Sequence, residues 1–437
     1  MHAPVRQITT APHGHLLTNV GVWSPDSRRI VYDVRSDAAG DVFDGDRIET
    51  VDVESGEVTV LYEATDGAKC GVATYSPVDN RVVFILGPDH PTPDFSYGPA
   101  RRRGVVVDEA RPGVYFPLDA RDLEGPFTPG ALRGGSHVHV FSPDGRFVSF
   151  TYEDHVLSEF SVESDGREVN LRNVGVSLLG QPVRVVSRHS RNHDGIAFSV
   201  LVTRTTAHPR PGSDDIQKAF EEAWIGTHGY QKSDGSWQKR ALAFQGLVVT
   251  ESGATIAELF VVDVPDDMTV PGDGPLEGTA TIRPRPPLGA AQRRLTFTAN
   301  RTYPGLQGPR HWPRSSPDGT RIAFLMKDDA GIVQLWTNSP NGGTATQLTH
   351  NAASVESSFT WSPDGDRIAH VMDGGIGVTD VATGTTVKVT ENVEGATSPR
   401  PEACVFSPDG QRIAHVRRVR AAAGMAYNQI FVCEISD

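Results

Sequence analysis

Apolar and polar residues alternate in short runs along this chain, and tight turns separate the runs. Six segments share one pattern, in which an apolar run leads into Ser-Pro, a turn follows, and an alternating run comes after it: VWSPDSRRIVYDV (22–34), TYSPVDNRVVFIL (74–86), VFSPDGRFVSFTY (140–152), RSSPDGTRIAFLM (314–326), TWSPDGDRIAHVM (360–372) and VFSPDGQRIAHVR (405–417). Alternation with period two predicts strands, and a tight turn between two such strands predicts an antiparallel hairpin. Pro, Asp and Gly in the motif therefore serve the turn.

A further strand usually follows each hairpin, so that each unit is a small sheet of about four strands. Sheets that repeat every 40–50 residues or so are typical of a β-propeller. The long interval between the third and fourth motifs holds at least one more unit, which we assign to HSRNHDGIAFSVLV (189–202) and ATIAELFVVDVP (254–265). We expect an all-β, seven-bladed propeller in a single domain over 1–437, with eight blades as the alternative if ALAFQGLVVTE (241–251) begins its own blade.

The fourth blade is also expected to carry an insertion over 204–250. Within it, the first half of GSDDIQKAFEEAWIGTHGYQKSDG (212–235) has a Ser/Asp cap followed by helix-forming residues, which predicts a short helix. Long excursions from a rigid scaffold often carry function, so the insertion is expected to cover one face as a lid.

The two ends of the chain predict how the ring closes. Blades end in short strands such as RRLTFTAN (293–300), TQLTHN (346–351) and VKVTEN (387–392), whereas the chain stops at QIFVCEISD, one strand short. The segment RQITTAP (6–12) has the same pattern. We therefore expect the N-terminal strand to complete the last blade and cover an edge that would otherwise be open to pairing.

Charge and cysteine usage narrow the class of partner. A formal net charge of −13 argues against nucleic acid, because phosphate binding depends on clustered Lys and Arg. Three scattered cysteines form no disulfide framework, and no run approaches the roughly 18 apolar residues of a membrane span. A cytoplasmic protein with neither nucleic acid nor membrane as partner is expected.

Candidate chemistry lies on the strand that precedes each Ser-Pro, which should be the innermost of its blade. Counting back five residues from each repeat serine gives Asn19, Gly71, His137, His311, Ser357 and Glu402. His139 is two residues beyond His137 and so shares its strand face. Two imidazoles and a carboxylate suit a divalent metal, so His137, His139 and Glu402 are the predicted ligands, with Mn most favoured and Zn, Fe or Ca as alternatives. The plainer interpretation is that these are polar channel residues bonded to water, or a pair packed against the next blade.

Two resemblances extend this picture. The SPDG repeats resemble those of TolB-like and WD40-like propellers, and HGHLLTNVGVWSPDS, GAKCGVATYSP, PFTPGALRGGSHVHVFSPDG and FTYEDH resemble an uncharacterised bacterial propeller family. More distantly, the His-x-His strand pair resembles oligogalacturonate lyase, a seven-bladed propeller that holds Mn at the mouth of its channel. That resemblance implies that His137 and His139 take the place of the lyase pair. The sequence departs from the lyase at Gly134, where the lyase has a Gln, and at Cys70, where a His would be expected.

The resulting functional prediction is a metal-assisted lyase that eliminates across a uronate-type glycosidic bond in a small acidic saccharide; a glycoside hydrolase is a weaker alternative. His311 or Tyr152 is the predicted base. Arg133 is the third predicted catalytic residue, and it is expected to stabilise the negative charge that develops on the substrate carboxylate. The predicted substrate-binding residues are Arg310, Arg400, His13, His15 and Asn19. A non-enzymatic TolB-like propeller that binds a protein or peptide is the alternative function, because fold alone does not decide function.

Overall fold

The computed structural model describes residues 3–36, 42–160, 162–163, 165–186, 188–420 and 424–435. Seven four-stranded antiparallel sheets succeed one another along the chain as the blades of a propeller, which confirms the predicted all-β, seven-bladed fold. The longest helix in these ranges, α1 (His155–Ser158), has four residues, and no helix there is long and apolar enough to cross a membrane.

In blades 1 to 6 the strands follow chain order from the inside of the blade to the outside. After β1 (Val5–Gln7), blade 1 comprises β2 (Gly14–Leu16), β3 (Arg29–Arg35), β4 (Arg47–Asp52) and β5 (Val58–Glu63), and blade 2 comprises β6 (Cys70–Tyr75), β7 (Arg81–Leu86), β8 (Arg103–Asp108) and β9 (Tyr115–Pro117). A short parallel pair, β10 (Ala120–Arg121) and β11 (Ala131–Leu132), precedes blade 3, which comprises β12 (Gly134–Phe141), β13 (Phe147–Asp154), β14 (Asn173–Val183) and β15 (Gly195–Leu201).

The second half of the ring is built in the same way. Blade 4 comprises β16 (Ile216–Trp224), β19 (Ala241–Val249), β20 (Thr255–Asp263) and β21 (Ala291–Arg294), with the small hairpin β17 (Tyr230–Gln231) and β18 (Trp237–Gln238) between its first two strands. Blade 5 comprises β22 (Arg314–Ser315), β23 (Ile322–Lys327), β24 (Val333–Ser339) and β25 (Gly342–Gln347), and blade 6 comprises β26 (Thr360–Trp361), β27 (Arg367–Met372), β28 (Gly375–Asp380) and β29 (Thr386–Lys388). Blade 7 follows the 3-10 turn Gly395–Thr397 and comprises β30 (Pro399–Phe406), β31 (Arg412–Arg420), β32 (Ala426–Glu434) and β1.

The N-terminal strand closes the ring, as predicted. β1 pairs antiparallel with β32, with Val5 opposite Cys433, and the ladder continues where the amide of Ile8 donates to the Ile430 carbonyl at 2.8 Å. The Ile8 side chain joins a core that spans the two ends of the chain, in contact with residues such as Val22 of blade 1 and Val432 of blade 7. Both hydrogen bonding and apolar burial therefore hold the first and last blades together.

The Ser-Pro motif forms a repeated turn. In blade 3 the Ser142 hydroxyl donates to Asp144 at 2.5 Å and accepts the Phe147 amide at 3.0 Å, and Gly145 takes the left-handed conformation with φ +67°. The serine therefore ties the turn to the start of the next strand, which explains why this short motif marks every blade except blade 4.

The fourth blade differs from the sequence prediction. Residues 216–224 form the innermost strand β16 and not a helix, since Ile216, Ala219 and Ala223 are buried against neighbouring strands. Burial on a pleated face overrides the helix propensity of this segment. Residues 195–201 are the outer strand of blade 3, and 241–249 pairs with β16 and β20, so no eighth blade begins there. Most of 204–250 therefore belongs to the blade itself.

Candidate functional site

A cavity of about 260 Å³ lies where the inner strands of several blades converge. We call it the central cavity. Its walls come from blades 1, 2, 3 and 7 and from the segment that leads into blade 5, and its lining residues are Leu16, Leu17, Thr18, Asn19, Asp33, Arg35, Phe43, Val72, Val138, Arg310, Trp312 and Glu402. Three residues predicted from the sequence, Asn19, Arg310 and Glu402, meet here.

Two hydrogen-bond donors in the central cavity have no partner in the described chain. Arg310 adopts a left-handed conformation with φ +48°, and its carbonyl accepts the Trp312 amide at 3.1 Å, so a tight turn presents both side chains to the cavity. The Arg310 side chain is exposed and makes no ion pair or hydrogen bond with a described residue. The indole N–H of Trp312 is buried and unpartnered. A guanidinium and an N–H donor so placed suit a ligand that carries an anion and further acceptors.

The other polar groups of the cavity are held by partners within the fold. Arg35 donates to Asp33 at 2.5 Å, and burial raises the pKa of this carboxyl. Glu402 is bound by Arg400, with Nη2 to Oε1 at 2.6 Å, and Asn19 accepts from Arg314 at 2.6 Å. Arg400, a predicted substrate-binding residue, thus orients a cavity-lining carboxylate. These pairs make fixed walls around the two unpartnered donors.

The inner strands are strained at the cavity. Val72 and Val138 have φ of +59° and +55°, and Glu221 has +58°, each at a break in the register of β6, β12 and β16. A left-handed β-branched residue costs on the order of 1–3 kcal/mol, and such strain concentrates at functional sites. Here it turns the Val72 and Val138 side chains into the cavity wall.

The predicted metal trio is not assembled. His139 is fully buried: its Nε2 lies 3.0 Å from the Ser136 hydroxyl, and a β-carbon at Gly104 of blade 2 would lie only 2.6 Å from it. Burial lowers the pKa of His139 to about 3, and burial with nearby Arg102 also lowers the pKa of His137. Within the described chain, His137, His139 and Glu402 do not bring their ligand atoms into one group. His139 therefore packs against a neighbouring blade, as in the plainer interpretation, although that neighbour is the preceding blade 2.

Two of the predicted catalytic residues lie in the core. Tyr152 is 1% exposed and packs with Leu132, Phe150 and Leu201, and burial raises its pKa. Arg133 is equally buried, and its Nε donates to Asp154 at 2.7 Å. Neither lines the central cavity. We therefore correct both assignments, because a buried and fully packed side chain cannot reach a substrate in that cavity.

His311, the remaining predicted base, lies next to Arg310. Its Nε2 is 3.9 Å from Oε2 of Glu221, and Gln245 donates to its carbonyl at 2.8 Å. Burial raises the pKa of Glu221. His311 is not among the residues that line the central cavity, and its 3.9 Å separation from Glu221 is longer than a hydrogen bond.

The sequence prediction misses two titratable groups, Glu221 and Glu222, because it makes their segment a helix. Glu222 is 1% exposed, accepts from the Thr151 hydroxyl at 2.8 Å with one oxygen, and leaves the other buried without a described partner. Burial raises its pKa to about 7. No regular alternation along β16 marks this position, because the register of the strand breaks between Phe220 and Ala223.

His13 and His15 lie away from the central cavity, at the seam between blades 7 and 1. Their rings stack with centroids 4.4 Å apart, and the ligand atoms of His13, His15 and Glu49 all lie within 4.8 Å of one another. His15 is 1% exposed, and burial lowers its pKa to about 4. The structure therefore does not support the predicted role of these histidines in the substrate site, since neither contributes to the cavity wall.

Comparisons with known proteins agree with the fold. Two structures cover all of this chain and 94% of their own: an oligogalacturonate lyase in complex with manganese (12% identity, TM-score 0.56) and an oligogalacturonate lyase from Vibrio parahaemolyticus (10% identity, TM-score 0.52). At such identity they show a shared propeller fold alone.

Sequence comparison gives the family. A family model described as a protein of unknown function, DUF3748, matches residues 69–193. The uncharacterized protein YidR of Escherichia coli (strain K12) is 48% identical over 406 residues, which is 92% of each chain. The resemblance to an uncharacterised bacterial propeller family is thereby confirmed, and this chain belongs to the family of YidR.

Proposed function

We propose that this protein is an enzyme that binds a small acidic saccharide in the central cavity and cleaves it by elimination across a uronate-type glycosidic bond. The observation that carries the proposal is that Arg310 and Trp312 both line this cavity, while the Arg310 guanidinium and the Trp312 indole N–H make no hydrogen bond to a described residue. An arginine side chain that makes no hydrogen bond or ion pair with a described residue can act as a bidentate partner for a carboxylate. The fold shared with oligogalacturonate lyases is consistent with this substrate class.

The cavity offers the further contacts that a sugar needs. The aromatic rings of Phe43 and Trp312 lie in its wall, and the Arg35 guanidinium stacks on Phe43 at 4.4 Å. Asn19 and Glu402 supply side-chain oxygens held in place by Arg314 and Arg400. A ligand with one carboxylate and several hydroxyls therefore meets cationic, aromatic and acceptor groups together.

The chemistry follows from the neighbours of the bound carboxylate. His311 is one residue from Arg310 but does not line the cavity, so in this proposal its side chain turns toward the bound substrate and takes the proton from the carbon next to the carboxylate, while Glu221 stabilises the imidazolium. Arg310 stabilises the negative charge that develops on the carboxylate. The electrons form a carbon–carbon double bond as the bond to the glycosidic oxygen breaks, and the imidazolium returns the proton to that oxygen.

The test is to incubate the protein with oligogalacturonides and follow the ultraviolet absorbance of the unsaturated product, with binding measured separately by calorimetry. Arg310→Ala should weaken binding by about 10- to 100-fold, as expected for loss of a charge-assisted pair. His311→Ala should lower kcat with little change in binding. Arg146→Ala, an exposed arginine in the blade 3 Ser-Pro turn, is the matched control. Unchanged binding in Arg310→Ala would remove the basis of the proposal.

The alternative of an interaction propeller has one observation in its favour. A second cavity of about 370 Å³ is ringed by the Ser-Pro turns, including Pro25, Pro143 and Pro363, and by aromatic residues such as Trp361. Several of these aromatics also hold blades together, since the Trp361 indole donates to the Arg314 carbonyl at 2.9 Å. A peptide partner should protect this opening from hydrogen exchange, whereas a saccharide should protect the residues around Arg310.

A further inference from the structure

We propose that His13, His15 and Glu49 form a binding site for a divalent transition metal, with Zn²⁺ as the best-matched ion, that fastens the seam between the last and first blades. The site is separate from the central cavity, because none of the three residues lines it. Two imidazoles and one carboxylate are a common protein donor set for Zn²⁺.

The hydrogen bonding of His15 prepares one ring nitrogen for a metal. Its Nδ1 lies 3.0 Å from the backbone carbonyl of Asn428 in β32. A carbonyl only accepts, so Nδ1 carries the hydrogen, and Nε2 keeps a lone pair. That Nε2 is buried and has no partner in the described chain. Metal-binding histidines usually hold the opposite nitrogen in this way.

His13 and Glu49 complete the set. His13 Nδ1 is also buried without a described partner, and the ring is only half-buried, so solvent can bring an ion to it. The Tyr32 hydroxyl donates to Glu49 Oε2 at 2.8 Å, and Arg47 lies 3.3 Å from Oε1. These two contacts fix the orientation of the buried Glu49 carboxylate, which lies on the third strand of blade 1.

The distances allow one ion to reach all three groups. Bonds of about 2.0–2.2 Å put the ligand atoms of a tetrahedral zinc roughly 3.3–3.6 Å apart. The three atoms here lie within 4.8 Å, so side-chain movements of about 1 Å close the shell around the ion. A tetrahedral ion would retain one position for water.

The position of the site gives it a structural consequence. All three ligands belong to blade 1 or to the segment that enters it, whereas the carbonyl that fixes His15 belongs to blade 7. A bound cation polarises the His15 N–H and strengthens this hydrogen bond across the seam. Metal binding should therefore stabilise the closed ring.

The experiment titrates the full-length protein, first dialysed against a chelator, with Zn²⁺ alone and with Mn²⁺ alone, and follows stoichiometry by mass spectrometry and Tm by calorimetry. We expect about one ion per chain and a Tm that rises with metal concentration. Loss of the ion in His15→Ala supports the site. Absence of stoichiometric binding of either ion by the wild-type protein would overturn it.

Two further variants test whether these three residues hold the ion. Tyr32→Phe removes only the hydrogen bond to Glu49 and should weaken binding by about 10-fold, which keeps the proposal testable if His15→Ala fails to fold. The double variant His137→Ala/His139→Ala, which removes the other His-x-His pair, should keep the ion. Loss of the ion in that double variant, or full affinity in Tyr32→Phe and His15→Ala, would contradict the assignment.

Discussion

Removing the positive charge of Arg133 should destabilise the propeller strongly without acting on catalysis directly. The Arg133 and Asp154 side chains are each 1% exposed and are joined by a hydrogen bond of 2.7 Å. Arg133 also donates to the Thr279 carbonyl, and Asp154 accepts the Leu157 amide at 3.0 Å as the cap of α1. Arg133→Met keeps most of the side-chain volume and leaves a carboxylate buried without its partner.

The size of the effect follows from that unpaired charge. Breaking one side of a buried ion pair costs about 3–5 kcal/mol, whereas replacing both charges by neutral groups costs much less. Burial already raises the pKa of Asp154, and loss of Arg133 should raise it further. A carboxyl whose pKa is raised in the folded state reduces stability as pH rises from its unfolded pKa to that raised pKa. The penalty in Arg133→Met should therefore shrink on acidification.

Urea unfolding followed by tryptophan fluorescence measures the free energy of unfolding at pH 8 and pH 5. The double variant Arg133→Met/Asp154→Asn is the matched control, because Asn removes the charge and retains an oxygen for the Leu157 amide. It should recover most of the lost stability. A single variant within about 1 kcal/mol of wild type, or a double variant no more stable than the single one, would refute the role of Arg133 as half of a buried pair.

Three other predictions concern the ring and its buried titratable groups. Deleting residues 1–12 should lower the Tm of one cooperative transition, because β1 and Ile8 close blade 7; an unchanged melting curve would contradict closure. His370 is fully buried, and burial lowers its pKa to about 4. The free energy of unfolding of the wild type should therefore fall by about 3 kcal/mol as the pH falls from 6.5 to 4, and His370→Gln should not show this loss. Burial raises the pKa of Glu222 to about 7, so ionisation of this group should destabilise the wild type as the pH rises from 4.5 to 8. The free energy of unfolding of Glu222→Gln should exceed that of the wild type by about 3 kcal/mol at pH 8 and should equal it near pH 4. Urea titrations at each pH would check both, and parallel pH profiles for variant and wild type would contradict them.

The blades could be predicted from the sequence wherever the Ser-Pro turn is present. Ser142, Pro143 and Asp144 make a local structure whose hydrogen bonds stay within a few residues, so the motif alone marks the hairpin. Closure was also predictable, because β1 carries the pattern of an outer strand and β32 lacks a neighbour along the chain. Both inferences depend on local patterns and on the requirement to pair strand edges.

Blade 4 could not be predicted in the same way, because its inner strand lacks Ser-Pro. Lys218, Glu221 and Glu222 favour a helix by propensity, and only packing against blades 3 and 5 makes their segment a strand. The breaks in register at β16 further obscure the alternation. The positions of Glu221 and Glu222 on the innermost strand of blade 4 therefore could not be predicted, whereas Asn19 and Glu402 followed from counting back from the repeat serines.

The two His-x-His pairs show what decides whether such a spacing becomes a candidate metal site. His137 and His139 flank Val138, whose left-handed conformation breaks the register of β12, and the third strand of their blade, Asn173–Val183, contains no Asp, Glu, His or Cys. His13 and His15 stack beside the third strand of blade 1, Arg47–Asp52, which supplies Glu49. The spacing of the histidines is the same in both blades. The two pairs differ in the third strand of the blade. In blade 1 this strand places a carboxylate beside the two imidazoles, and in blade 3 it has no such residue.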